Sequence, residues 1–228
     1  MRTDKLKELK SIIEEYKTVK VEKFDKKDSD KFIKSEVNRY YLNNGSVITR
    51  EKILKNNNSG SASIVIPRLV NGEYLTVIEP RVHTKLGVGV GFPAGYIEAF
   101  ENSYSAALRE LREETGYNSD YLIKLDEFYQ DEGCSEAFNR IFLALDAVKV
   151  GKQKLDKDEH IKYMTFNIEE LEELVRMRYM LGVNSKLALE KLYTAEILMN
   201  NIKDTKEKVK VLKRIFKEEY DYECRKDN

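Results

Sequence analysis

Apolar residues at Leu6, Leu9, Ile12, Ile13 and Tyr16 recur at helical spacing behind a candidate cap at Thr3 or Asp4, which predicts an amphipathic helix over residues 4–17. Its apolar face must pack on the body of the protein or against a second copy. Residues 18–60 are polar and rich in Asn and Lys, with one short strand candidate at 39–42, and they end in the loop-like run NNNSGS at 56–61. This stretch reads as an accessory segment.

At Ser61 the texture changes. SASIVIPRLV and EYLTVIEP are β-branched and aromatic runs separated by Asn71-Gly72, which predicts a hairpin. Further strands are expected at 121–129, 139–145 and 160–166, and helices at 103–115, 168–180, 185–202 and 206–220. Strands and helices mingle in the middle of the chain, and helices close it. The pattern predicts an α/β protein with a mixed sheet.

Charge narrows the partners. Forty Lys and Arg balance forty Asp and Glu over 228 residues, which argues against nucleic-acid binding driven by bulk positive potential. Hydrophobic residues make up 41%, enough to bury a core. Cys134 and Cys224 lie far apart with no CxxC pair, so neither a disulfide framework nor a thiolate zinc site is expected. The charged N-terminus does not resemble a signal peptide, and no apolar run approaches the roughly 20 residues that span a bilayer. A cytoplasmic protein with no membrane contact is the expectation. His83 and His160 show no paired metal-ligand spacing, which leaves them surface or structural roles.

Chemistry concentrates in residues 91–120, GFPAGYIEAFENSYSAALRELREETGYNSD. Asn102 or Ser103 can cap a helix start, and Gly116 can supply a left-handed stop. On that helix Glu110, Glu113 and Glu114 stand at i, i+3 and i+4, so their carboxylates share a face. Like charges so placed repel. A divalent cation would relieve them, and hard oxygen ligands suit Mg²⁺ or Mn²⁺. A solvated acidic face has the same local spacing, so the wider pattern decides. Five residues separate Gly95 from Glu101 and seven separate Glu101 from Arg109, after which come Glu110, Leu111, Arg112, Glu113, Glu114, Thr115, Gly116 and Tyr117.

This arrangement resembles the Nudix hydrolase signature, G-x5-E-x7-R-E-U-x-E-E-x-G-U with U bulky and apolar. Seven fixed letters at about one chance in ten each match by accident roughly once in 10⁵ sequences. The resemblance implies an α/β/α sandwich around a mixed sheet, formed by residues 61–192. Residues 1–60 would be an N-terminal helix and accessory strand segment, with the potential for dimer contact, and 193–228 a C-terminal helical extension. It implies Glu110 and Glu114 as metal ligands, Glu113 as a ligand or holder of a bound water, and the Ala94 carbonyl as a further ligand. Arg109 would orient these glutamates, with Gly95, Glu101 and Gly116 supporting the motif.

Three stretches point to a subfamily. FPAGYIE at 92–98 resembles the entry of ADP-ribose and nucleotide-sugar pyrophosphatases, although the glycine alternation of GVGVG at 87–91 could also mimic a phosphate loop. TVIEPR at 76–81 stands where that subfamily carries a V-x-Q-Y-R strand end, which makes Arg81 a candidate contact for phosphate or nucleoside; YLNNGSVITREKI at 41–53 similarly resembles the subfamily's N-terminal strand segment and offers Arg50 as a nucleotide contact. FYQDEGCSEAFNRIFLAL at 128–145 resembles the subfamily's catalytic loop, with Gly133 and Ser135 matching, Glu136 the candidate general base and Glu132 its rival. The resemblance implies a Mg²⁺-dependent hydrolase acting on ADP-ribose or a related nucleoside diphosphate sugar, assembled as a homodimer. Hydrolysis of a nucleoside triphosphate, dinucleotide or capped RNA, and nucleotide sensing without catalysis, are the alternatives.

Overall fold

A computed structural model describes residues 1–22, 31–55 and 59–216. The elements are, in chain order, α1 (Thr3–Glu15), β1 (Ile33–Tyr41), β2 (Val47–Lys55), β3 (Ala62–Leu69), β4 (Tyr74–Arg81), β5 (Gly87–Gly91), β6 (Ala94–Tyr96), α2 (Ser103–Thr115), β7 (Tyr117–Asn118), β8 (Tyr121–Tyr129), β9 (Phe138–Lys149), β10 (Lys162–Phe166), α3 (Ile168–Arg176), α4 (Val183–Met199) and α5 (Thr205–Phe216).

An eight-stranded mixed sheet runs β10-β4-β3-β9-β7, with β5 on β4, β6 on β3 and β8 on β9. Its one parallel pair is β3 with β9. The two-residue period of a strand sorts the side chains onto two faces. Ile64 and Ile66 of β3 and Ile141, Leu143 and Leu145 of β9 enter the larger core, whereas Val65, Phe142 and Ala144 meet Ala107 and Leu111 of α2. Helix α2 thus lies on one face and α1, α3, α4 and α5 on the other. The result is the expected α/β/α sandwich.

Several boundaries differ from the sequence reading. The N-cap of α1 is Arg2, without a side-chain cap bond, so Thr3 and Asp4 lie inside the helix. Leu9, Ile12 and Ile13 are buried in the main core. Lys5 reaches Glu73 at 3.0 Å and Glu170 at 2.7 Å while lying over the Phe166 ring. Helix α1 is therefore docked on its own chain.

The supposed accessory segment holds more than one short strand. β1 and β2 are nine residues each and pair antiparallel from Ile33↔Lys55 to Tyr41↔Val47. Asn44-Gly45 closes their turn with Gly45 at φ +82 and the Asn44 side chain accepting from the Ser46 N–H, a hairpin signal hidden by the polar composition around it. The strand expected at 160–166 begins at Lys162, and α3 stops at Arg176 because the chain turns left-handed at Arg178. The boundary expected between 192 and 193 falls inside the continuous α4. Residues 217–220 of the last expected helix, and Cys224, lie outside the described residues.

Because Leu9 is fully buried in the main core, Leu9→Ala should lower the unfolding free energy by about 2–4 kcal/mol in urea titrations. A loss below about 0.5 kcal/mol, the range of surface substitutions, would show that α1 does not dock there.

Candidate active site

Helix α2 is bounded as its sequence demands. Asn102 Oδ1 accepts the Ser105 N–H at 2.9 Å, and Gly116 turns left-handed at φ +77 while its N–H reaches the Arg112 carbonyl. A Cβ on Gly116 would also sit 2.4 Å from the Gly151 carbonyl oxygen. Ala106, Ala107 and Leu111 are buried against the sheet, and Ser63 Oγ donates to the Ser103 carbonyl. This fixes the helix rotation, which turns the glutamate face toward β6.

Glu110 and Glu114 are 8% and 4% exposed, and Glu113 is half-buried. At Gly95 an added Cβ would stand 1.9 Å from Glu110 Oε1. Only glycine lets the β6 backbone come this close. Arg109 joins the pieces. Its Nε and one terminal nitrogen grip both Glu101 oxygens at 3.0 and 2.9 Å, its other terminal nitrogen reaches Glu110 at 2.6 Å and Glu113 at 3.0 Å, and it also donates to the Tyr96 carbonyl at 2.9 Å. One guanidinium therefore ties β6, the loop at Glu101 and α2 together.

The carboxyls titrate differently for physical reasons. The Arg109 fork holds Glu101 below the usual carboxylate range. Burial pushes Glu110 up, with Arg109 opposing and Glu113 and Glu159 adding to the rise. Glu114 is driven well up by burial, then by Glu79 and Glu110, against which it accepts only the Ala94 N–H at 3.2 Å. Burial likewise raises Glu79, which the Arg81 guanidinium opposes. Glu79 and Glu159 were not among the candidates from sequence. The signal for Glu79 was an acid inside TVIEP, a strand buried on both faces; Glu159 comes from a loop that gave none.

Buried carboxylates short of positive charge, beside a glycine cradle that a Cβ would fill, fit a hard divalent cation in donor type and in place. Arg109 now occupies Glu110 and Glu113, and among the described residues no group of three or more His, Cys, Asp or Glu converges as a ready metal cage. Each of these two carboxylates keeps its second oxygen outside the Arg109 contacts.

A cavity of about 370 Å³ adjoins the carboxylates, lined in part by Glu79, Arg81, Ala94, Gly95, Tyr96 and Gln130. Arg81 is thus brought to the site. Arg50, Ser135 and Glu136 do not line it. Arg50 lies exposed on β2 and bonds the Thr49 carbonyl, and Ser135 Oγ accepts the Ala137 N–H. Glu136 is exposed, 3.3 Å from Lys52, on a loop that β2 grips through the Ile53 N–H to Cys134 carbonyl bond. The Asp131 hydrogen bond pushes the half-buried Cys134 thiol up, which leaves it no activated nucleophile. GVGVG is strand β5 and not a phosphate loop, with Val88 and Val90 buried in the core.

With this geometry in view, similarity to known proteins places the chain. The NUDIX domain model matches residues 60–181, so the chain belongs to the Nudix family. Within that family its likeness runs to the ADP-ribose pyrophosphatases. It is 36% identical to the ADP-ribose pyrophosphatase of Bacillus subtilis (strain 168) over 110 residues, which are 48% of this chain and 60% of that protein. It is 25% identical to the methanol dehydrogenase activator of Bacillus methanolicus over 81% of this chain and 96% of that one. The crystal structure of an ADP compounds hydrolase superposes with a TM-score of 0.65 at 20% identity, covering 81% of this chain and 95% of that one, and supports the fold.

Because the raised Glu114 favours its protonated form, it costs the metal-free fold stability as pH climbs above the ordinary carboxylate range, and that cost persists in alkali. Glu114→Gln should therefore melt higher than the unsubstituted protein at pH 8 without metal, and should lose the upward shift that Mg²⁺ gives. Melting curves with chelator and with Mg²⁺ check both; an unchanged Mg²⁺ shift would remove Glu114 from the cation site.

Proposed function

We propose that the protein is a Mg²⁺- or Mn²⁺-dependent pyrophosphatase that cleaves ADP-ribose or a related nucleoside diphosphate sugar to a nucleoside monophosphate and a sugar phosphate. The carrying observation is the buried glutamate face of α2, tied by Arg109 and set beside a cavity of small-molecule size. The likeness to ADP-ribose pyrophosphatases supports the substrate class. In this reading residues 61–192 form the hydrolase unit, and the segments on either side are additions to it.

Glu110, Glu114 and the Ala94 carbonyl hold the cation, with Glu113 as a further ligand or a holder of its water shell. When bound, the cation supplies charge neutralisation at the bridging and leaving oxygens of the diphosphate. Arg109 keeps the glutamates oriented through Glu101, so that their geometry does not depend on flexible side chains alone. Arg81 offsets phosphate charge from the cavity wall. Glu136, on the loop beside β2, takes the proton of the attacking water. Its pairing with Lys52 holds it on the hairpin side of the site.

The protein incubated with Mg²⁺ and a panel of ADP-ribose, UDP- and GDP-sugars, dinucleotides and nucleoside triphosphates should release AMP and ribose 5-phosphate from ADP-ribose. Glu114→Gln should abolish that turnover. Turnover of a different member would move the substrate, and nucleotide binding without hydrolysis would favour a sensor. Glu136→Gln should lower kcat by about 10²–10⁴ with little change in metal affinity, whereas Glu132→Gln should be mild; the reverse order would exchange their roles.

Ile33, Val37, Tyr41 and Val47 stand 62%, 67%, 75% and 50% exposed on β1 and β2, and a two-stranded hairpin is marginal alone. A homodimer that covers this face follows, with about twice the monomer mass expected in light scattering at micromolar concentration. A monomer there would remove the dimer reading. Among the described residues no helix is long and apolar enough to cross a membrane, and a cytoplasmic setting accords with the substrate class.

A further inference from the structure

The cavity beside the carboxylates has wall residues that the reaction chemistry does not use. On β5 the valines enter the core and the glycines face the other way, where the absence of side chains is required. A Cβ on Gly89 would stand 2.8 Å from Arg81 Cγ, and one on Gly91 would stand 2.6 Å from Ser185 Oγ. The bare strand lets two walls close over it. One carries Arg81, Thr84 and Lys85, and the other is the turn from Arg178 to Ser185, fixed to β5 by the Val90 N–H bond to the Tyr179 carbonyl at 3.2 Å. Glu79 and Ala94 bring the carboxylates to the cavity, and Lys85 and Arg178 add cations to its wall.

Arg178 is placed there at a local cost. Helix α3 ends with Met177 as C-cap, and the next residue is left-handed at φ +65. This position usually belongs to glycine, because a side chain there crowds its own backbone. The strained residue is instead an arginine on the cavity wall, exposed and without an ion-pair partner among the described residues. Strain that a glycine would relieve points to use of the side chain.

Resting on the hydrolase reading above, we propose that the cavity wall between β5 and the turn from Arg178 to Ser185 is the subsite for the sugar-phosphate half of the substrate and that Arg178 is its specificity-determining residue. At about 370 Å³ the cavity lies within the roughly 300–1,000 Å³ of small-molecule sites and has room for one half of a nucleoside diphosphate sugar. Cations and the Asn184 carboxamide over bare backbone suit a hydroxyl-rich ring bearing a phosphate. The Asn139 side chain fixes Asn184 by a 3.2 Å bond and in turn accepts the Ala62 N–H at 2.9 Å.

Calorimetric titration of the full chain with Mg²⁺, using ribose 5-phosphate and AMP as separate probes, tests this with Arg178→Gly and Arg178→Asn, two residues that tolerate the left-handed turn. Both variants should bind ribose 5-phosphate at least about tenfold more weakly, the loss of one charge-assisted contact, and AMP within about twofold of the original affinity. Arg178→Gly should melt at or above the temperature of the unsubstituted protein. No binding of ribose 5-phosphate to the unsubstituted protein, unchanged binding in the variants, or a loss confined to AMP would each overturn the proposal. So would a marked fall in melting temperature for Arg178→Gly, which would assign the guanidinium to the end of α3. Ribose 5-phosphate binding that depends on Arg178, without turnover of any diphosphate, would overturn the hydrolase reading and leave the subsite standing.

Discussion

The Arg109 guanidinium is the contact on which the site's architecture turns. Three glutamates within five positions of one helix repel each other, and two of them are buried, where desolvation makes the repulsion worse. Without cations that arrangement is costly. Arg109 offsets it by engaging Glu110 and Glu113 from the helix while its other edge grips Glu101 and the Tyr96 carbonyl. The same residue therefore stabilises the helix, closes the loop in front of it and presents the carboxylates at one place. Glu114 lies outside this net, with only a backbone N–H to accept, and it is the carboxyl most in need of a cation.

That arrangement depends on the sheet below it. The β3 and β9 strands are buried on both faces, so their alternation serves two cores at once. Small residues toward α2, Ala107 and Ala144 among them, bring the helix close enough for Ser63 to bond the Ser103 carbonyl. The larger core on the opposite face accepts four helices, including one from each end of the chain. Their packing leaves α2 fixed in rotation, which matters because about 100° separates successive residues around a helix. A small rotation would carry Glu110 away from Gly95.

What was legible in the sequence was what local rules specify. The spacing from Gly95 to Gly116 marked helix, caps and glutamate face, and α2 spans the expected residues 103–115. Asn71-Gly72 marked the turn between β3 and β4. Long-range placement was not legible. The nine-residue strands β1 and β2 carry nearly as many charges as apolar residues, seven against eight, since neither face enters the main core, and their polar texture masked them despite Asn44-Gly45. Glu79 and Glu159 reach the glutamate cluster only through the pairing of β4 with β5 and the course of the loop before β10, neither of which a local window contains.

The glycine alternation at 87–91 shows how one pattern serves opposite readings. Read along the chain it resembles a loop that cradles phosphate through backbone N–H groups, yet it is a strand antiparallel to β4 whose Val90 N–H is spent on the Tyr179 carbonyl. The glycines act by what they lack. With no Cβ on one face, Arg81 and Ser185 settle against the backbone, and the space they enclose remains open to a ligand. A Cβ at Gly91 would stand 2.6 Å from the Ser185 hydroxyl, so the width of the cavity and the side chain on the first turn of α4 are set together. Fold and site are coupled most tightly at these bare positions.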